Sequence, residues 1–131
     1  MIKRRLTKQK KVLYDILKKL DTHLTSEQVY VEAIRQLPNL SLATVYRNLE
    51  LMRAEGLLDE VYVAGRPKWY EIKKYTNHGH LFCEKCSSLE DVVECSFCMT
   101  GNKIQKECGF QGREISFLII GLCQKCNQKK Q

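Results

Sequence analysis

No stretch of this chain is long and apolar enough to cross a bilayer. The longest mostly apolar run, Ile115 to Cys123, is interrupted by Ser116 and Gly121 and falls far short of the roughly 20 residues that a spanning helix needs. The opening residues MIKRRLTKQKK lack the apolar core of a secretory signal. These absences lead to the expectation of a cytoplasmic protein with no membrane partner. Proline is scarce, with 2 in the chain, so Pro38 stands out as punctuation. Length is limiting as well. The 131 residues make one ordinary domain or two very small ones. A half-chain of about 60 to 70 residues buries a marginal core and usually needs a metal, a disulfide or a partner subunit.

The net charge is +7, and it is unevenly placed. Residues 1–74 carry 15 Lys/Arg against 9 Asp/Glu, whereas residues 75–131 carry 7 against 6. A basic N-terminal half suits a polyanion such as nucleic acid, although a merely solvated surface accounts for the charge equally well. There are 7 cysteines. In a secreted chain that density would suggest disulfides; without a signal, two CxxC pairs favour a metal.

Residues 1–74 read as a winged helix-turn-helix. A first helix is expected from Thr7 to Leu20, capped by Thr7, with Val12, Leu13, Ile16, Leu17 and Leu20 on one face. A second starts at Thr25, where TSEQ forms a capping box with Gln28, and Pro38 ends it. Its buried stripe is Val29, Tyr30, Ala33, Ile34 and Leu37. A third runs from Ser41 to Gly56, with Val45, Leu49 and Met52 inward. Two β-rich runs, Glu60 to Val63 and Lys68 to Ile72, flank the turn AGRP as a hairpin.

In such a fold the third helix enters the major groove. Thr44, Tyr46 and Arg47 are therefore the readout candidates: an arginine can bond a guanine edge in bidentate fashion, and an aromatic ring can pack on a thymine methyl. Ser41 and Thr44 at the helix start suit phosphates. Arg66 and Lys68 near the hairpin tip suit a backbone or a minor groove. Competing roles are open. Tyr46 adjoins Val45 and would serve as partial core, and Arg47 would pair with Glu50 or Asp15.

Residues 75–131 read as a small α/β unit, so the chain as a whole is α+β. HLFC, LEDVVE and REISFLIIG form three expected strands, with a short helix between Met99 and Cys108. Cys83-x2-Cys86 and Cys123-x2-Cys126 supply four thiolates for tetrahedral zinc. Four protein ligands fill the coordination sphere, so this zinc is structural and not catalytic. A redox or disulfide-forming role for the pairs is the alternative; a thioredoxin-type motif carries one CxxC at a helix start. Cys95, Cys98 and Cys108 are expected to be small buried apolar residues. A third metal or redox site is the competing reading.

The histidines are His23, His78 and His80. On a strand, His78 and His80 share a face while Cys83 points to the other. With His23, with Glu71 at the end of the hairpin and with Asp91 on the neighbouring strand, they make a nitrogen and oxygen set. Such a set suits iron(II), manganese(II), cobalt(II) or zinc(II) better than a soft thiolate metal.

LTKQKKVLYDIL, HLTSEQVY, SLATVYRNLELMRAEGLL, HGHLFCEKC and GLCQKC together carry a resemblance to the ferric uptake regulator family over almost the whole chain. The resemblance implies a cytoplasmic homodimeric repressor, not an enzyme, that binds a palindromic DNA operator when metal-loaded. It implies a winged-helix DNA-binding domain over 1–74 and a metal-binding dimerisation domain over 75–131. It places base readout at Tyr46 and Arg47, structural Zn2+ on Cys83, Cys86, Cys123 and Cys126, and the regulatory ion on His23, Glu71, His78, His80 and Asp91. That ion is expected to be Fe2+, with manganese(II) or zinc(II) as alternatives.

Departures from the pattern are visible. The family often has a histidine run where this chain has Asn77 and Gly79. The acid near Cys98 and the histidine near Ile115 that complete a third site in some members are absent. Lys10 stands where arginine is frequent and loses the guanidinium fork. Glu71 matches iron-sensing members and Asp91 matches peroxide-sensing ones, so a peroxide sensor is the first rival. A thiol redox protein and a hydrolytic zinc enzyme with an open metal position are more distant rivals.

Overall fold

The computed structural model describes residues 7–73, 78–92, 106–111 and 116–128. The chain divides into two compact units, Met1–Lys74 and Tyr75–Gln131.

Unit 1 opens with α1 (Lys8–Leu20), whose first turn is closed by the Thr7 hydroxyl accepting from the Lys10 amide. Asp21 ends the helix in the left-handed region, its N–H bonded to the Leu17 carbonyl. Helix α2 (Ser26–Ala33) has the capping box expected of TSEQ: Thr25 accepts from the Gln28 amide, and Gln28 accepts from the Thr25 amide. Helix α3 (Leu42–Ala54) is capped by Ser41. Gly56, at φ 84°, then supplies a left-handed residue that a side chain would strain. Strands β1 (Leu58–Val61) and β2 (Trp69–Ile72) pair antiparallel, Leu58 opposite Ile72 and Val61 opposite Trp69. Leu24 adds an isolated bridge to Tyr70 on the far side of β2. Three helices followed by this hairpin form a winged helix-turn-helix.

The core of unit 1 joins α1 (Leu13, Ile16, Leu17), α2 (Val29, Ala33), Leu40, α3 (Val45, Leu49, Met52), Leu58 and Tyr70. Each large side chain fully removed from water contributes about 1.5–3 kcal/mol. The structure corrects the expected boundaries here. Leu20, the last residue of α1, is exposed, so the buried stripe of the helix stops at Leu17. Helix α2 stops at Ala33; turns carry the chain on to Leu40, with Ile34 and Leu37 only half-buried. The first wing strand lies at Leu58–Val61 and not at Glu60–Val63, since the ladder ends where Val63 accepts the turn hydrogen bond from the Arg66 amide.

Unit 2 is a three-stranded sheet in the order β4-β3-β5. β3 (His78–Cys83) pairs antiparallel with β4 (Leu89–Val92) and parallel with β5 (Ser116–Gly121). A short helix, α4 (Gln124–Gln128), follows. The expected helix between Met99 and Cys108 lies outside the described residues except for a helical turn at 106–108. Cys95 and Cys98 are outside them too, as are the last two residues of LEDVVE and the first three of REISFLIIG. Cys108 is exposed, against the expectation of a buried apolar residue. Among the described residues, no helix is long and apolar enough to cross a membrane.

Candidate metal centres and nucleic-acid interface

The four thiols of the two CxxC pairs converge. Cys83, Cys86, Cys123 and Cys126 each place a sulfur within 4.8 Å of the others, and Cys86 Sγ lies 3.8 Å from Cys123 Sγ. Cys83 ends β3, and the chain turns back at once: the Ser87 amide donates to the Cys83 carbonyl (2.9 Å) and the Cys83 amide to the Ser88 carbonyl (3.0 Å). Within this knuckle the Cys86 amide points at Cys83 Sγ (3.5 Å). Cys123 follows β5, which is tied to the knuckle by the Glu84 amide donating to the Gly121 carbonyl at 2.8 Å. Amides of Cys86 and Cys123 hold the Cys83 thiol down at about 6. The Ser88 hydroxyl lowers that of Cys86. The neighbouring Cys123 thiol pushes Cys126 up to about 12. Amide donors aimed at sulfur favour the thiolate form that a metal binds. The donor set and its spread fit tetrahedral zinc.

A second pair of donors lies in unit 1. His23, between α1 and α2, sits beside Leu24, which is bridged to β2, and its Nε2 is 3.0 Å from Glu71 Oε1. Both side chains are buried, at 7% and 4% exposure. In unit 2, His80 on β3 faces Asp91 on β4 by register, with Nε2 3.2 Å from Oδ1. His78 occupies the first position of β3. Imidazole beside carboxylate, withdrawn from water, is the chemistry of a borderline or hard divalent cation.

The proposed reading face of α3 is well defined. Val45, Asn48, Leu49 and Met52 are buried, while Tyr46 and Arg47 are exposed on the opposite side. Tyr46 is 47% exposed, so it is not core. Glu50 engages Arg53, Lys68 and Tyr70, and among the described residues Arg47 makes no ion pair. Ser41 and Thr44 bond each other at the helix start, the Ser41 hydroxyl donating to Thr44 Oγ1 at 2.9 Å.

Sequence reasoning missed what holds the wing. Glu50 and Glu60 alternate with Arg53 and Lys68 in a closed ring of ion pairs, with distances from 3.1 to 3.3 Å. The Tyr70 hydroxyl donates to Glu50 Oε2. Burial raises Glu50, but the bonds from Tyr70 and Lys68 outweigh it and leave the carboxyl below its ordinary value. The Glu60 carboxylate raises Lys68. Lys68 is therefore committed to this ring, whereas Arg66 sits in the wing loop, half-buried. No signal in the sequence reveals a partnership of residues 18 and 20 positions apart.

A winged helix-turn-helix followed in the chain by a small sheet with a four-thiolate centre defines a class, the metal-dependent DNA-binding regulators. The sequence model of the ferric uptake regulator family matches residues 2–119. The chain belongs to the ferric uptake regulator family and is a transcription regulator of that family. It is similar to the ferric uptake regulation protein of Campylobacter jejuni, 31% identical over 126 residues that cover 95% of this chain and 80% of that one. Its fold matches the Helicobacter pylori ferric uptake regulator at a TM-score of 0.85 and 20% identity, covering 97% of this chain and 85% of that one. The Campylobacter jejuni peroxide stress regulator matches at a TM-score of 0.78 and 29% identity, covering 90% and 88%.

Proposed function

We propose that the chain is a metal-responsive repressor that binds a palindromic operator as a homodimer, with iron(II) as the regulatory ion and zinc as a structural one. Unit 1 reads DNA, and unit 2 binds metal and dimerises. The observation that carries this reading is the presence, in one chain of this family, of an exposed Tyr46–Arg47 face on α3 and a buried imidazole–carboxylate pair at His23 and Glu71.

Zinc on Cys83, Cys86, Cys123 and Cys126 adds folding free energy that a sheet of three short strands needs. His23, Glu71, His78, His80 and Asp91 take the regulatory ion. Ligands drawn from both units let that ion fix how the units are set, and in a dimer this governs the spacing of two recognition helices. The ion thus selects a DNA-competent arrangement from those already sampled.

Tyr46 and Arg47 contact bases. Ser41, Thr44 and Arg66 contact phosphates, and Lys68 supports the wing from which Arg66 reaches. Dimerisation is supported by the apolar surface of unit 2, where Leu81, Ile119, Ile120 and Leu122 are 36–50% exposed. In a peroxide-sensing role hydrogen peroxide would be the oxidant, one of its oxygens being added to a ligand histidine and the other leaving as water.

Anaerobic titration of the zinc-loaded protein with iron(II), manganese(II) and zinc(II), against a pool of randomised duplex DNA, tests the proposal. Selection of a palindromic sequence at low iron(II) supports it. Sequence selection that is indifferent to added metal overturns it.

A further inference from the structure

Tyr70 occupies an unusual crossing point in unit 1. Its backbone makes both hydrogen bonds of the bridge to Leu24: the Leu24 amide donates to the Tyr70 carbonyl (3.0 Å) and the Tyr70 amide to the Leu24 carbonyl (2.8 Å). Leu24 directly follows His23, and Glu71 directly follows Tyr70. The bridge that sets the His23–Glu71 pair at 3.0 Å is therefore Tyr70's own. The Tyr70 side chain leaves in the other direction. Its ring is 1% exposed within the core, and its hydroxyl ends on Glu50 of α3. Glu50 in turn holds Lys68 at the foot of the wing (3.3 Å), and Lys68 and Arg53 both close on Glu60 of β1.

We propose that Tyr70 and Glu50 are positioning residues that relay the state of the His23–Glu71 pair to the recognition helix and the wing. The inference rests on the reading of His23 and Glu71 as metal ligands. An ion drawn onto both side chains restrains the Leu24–Tyr70 bridge. A bridge so restrained limits where the Tyr70 ring and hydroxyl can go, and Glu50 transmits that restraint to α3. A buried ring and a closed set of charged hydrogen bonds offer few alternative arrangements, which suits them to transmitting a restraint. Metal would then stiffen the reading head within unit 1, in addition to any effect on how the units are set.

Amide hydrogen exchange on the zinc-loaded full chain, with and without cobalt(II) as the probe, tests the relay. In the wild type, cobalt(II) slows exchange around residues 23–24 and 70–72. It also slows Val45–Arg53 of α3 by roughly fivefold or more, the low end of ordinary coupling between sites. Tyr70→Phe keeps the ring and loses only the hydroxyl, while Glu50→Ala cuts the path without touching the core. Both retain the local response and lose the one in α3. Glu50→Gln, whose amide oxygen still accepts from Tyr70, restores it. A merely structural role would not separate these variants. A response in α3 that persists in both Tyr70→Phe and Glu50→Ala overturns the relay, as does a wild-type response confined to residues 23–24 and 70–72. Absence of any response at His23 and Glu71 in the wild type removes the metal reading and the relay with it.

Discussion

The ring of Phe117 lies across Gly79. The two residues are partners in the parallel β3–β5 pairing, and a Cβ built on Gly79 would stand 2.3 Å from Phe117 Cζ. An aromatic side chain thus covers the strand where this chain has no side chain of its own. A side chain at position 79 therefore requires the Phe117 ring to move. Gly79→Ala is expected to destabilise unit 2 by about 1–3 kcal/mol, the usual cost of overpacking. Adding Phe117→Ala to Gly79→Ala should cost less than the two changes taken separately, because the clash is then gone. Chemical denaturation of the zinc-loaded variants as a double-mutant cycle checks this; simple additivity would contradict it.

The zinc knuckle contains a strained residue. Ser87, directly after Cys86, has φ 62° and carries a side chain in the left-handed region. That conformation costs an L-residue roughly 1–2 kcal/mol, which glycine avoids at some loss of chain entropy. Ser87→Gly should therefore raise stability by about 0.5–1 kcal/mol and slow the release of zinc to a chromogenic chelator. Unchanged or faster release would show that the serine is not held under strain.

The cations of unit 1 should divide by role. Arg47 is exposed and outside every ion pair found among the described residues, whereas Lys68 sits between Glu50 and Glu60. Arg47→Ala is expected to relax sequence preference by about 1–3 kcal/mol at one base pair while leaving non-specific binding nearly intact. Lys68→Met should instead lower the stability of the wing and change the salt dependence of DNA binding little. Binding isotherms on selected and scrambled duplexes at several salt concentrations separate the two. A steep loss of salt dependence in Lys68→Met would make it a phosphate contact after all.

Glu50 should leave a signature in acid. Its carboxyl lies below its ordinary value in the folded chain. The stability it contributes is therefore present above the unfolded value of about 4.3 and is lost as pH falls through the lower folded value. Glu50→Gln cannot titrate, so the stability gap between wild type and variant should be widest near neutrality and close below about pH 4. Trp69, the single tryptophan of the chain, lies on β2 and reports unit 1 by its fluorescence. A gap independent of pH would mean that the Glu50 charge does not hold the ring together.

The sequence disclosed local structure better than partnerships. Thr25 and Gln28 signal their capping box because both halves lie within one turn, and the cysteine pairs announce their metal by spacing alone. Leu20 misled because periodicity says which face of a helix a residue occupies but not whether that face is still covered in the last turn. The alternation of Val61, Tyr62 and Val63 is strand-like, yet the ladder lies at Leu58–Val61, since pairing depends on where the partner strand ends. The Glu50–Tyr70 bond joins residues far apart in the chain, and only the folded hairpin brings them together.

That a regulatory ion controls DNA binding is tested most directly by comparing the wild type with His80→Ala, both zinc-loaded, on the selected duplex as iron(II) is added without oxygen. His80 is 7% exposed and faces Asp91 at 3.2 Å. The wild type should gain sequence-specific affinity with iron(II), while His80→Ala keeps its zinc and its fold and gains none. Equal, metal-independent binding by both proteins would contradict metal control of DNA recognition.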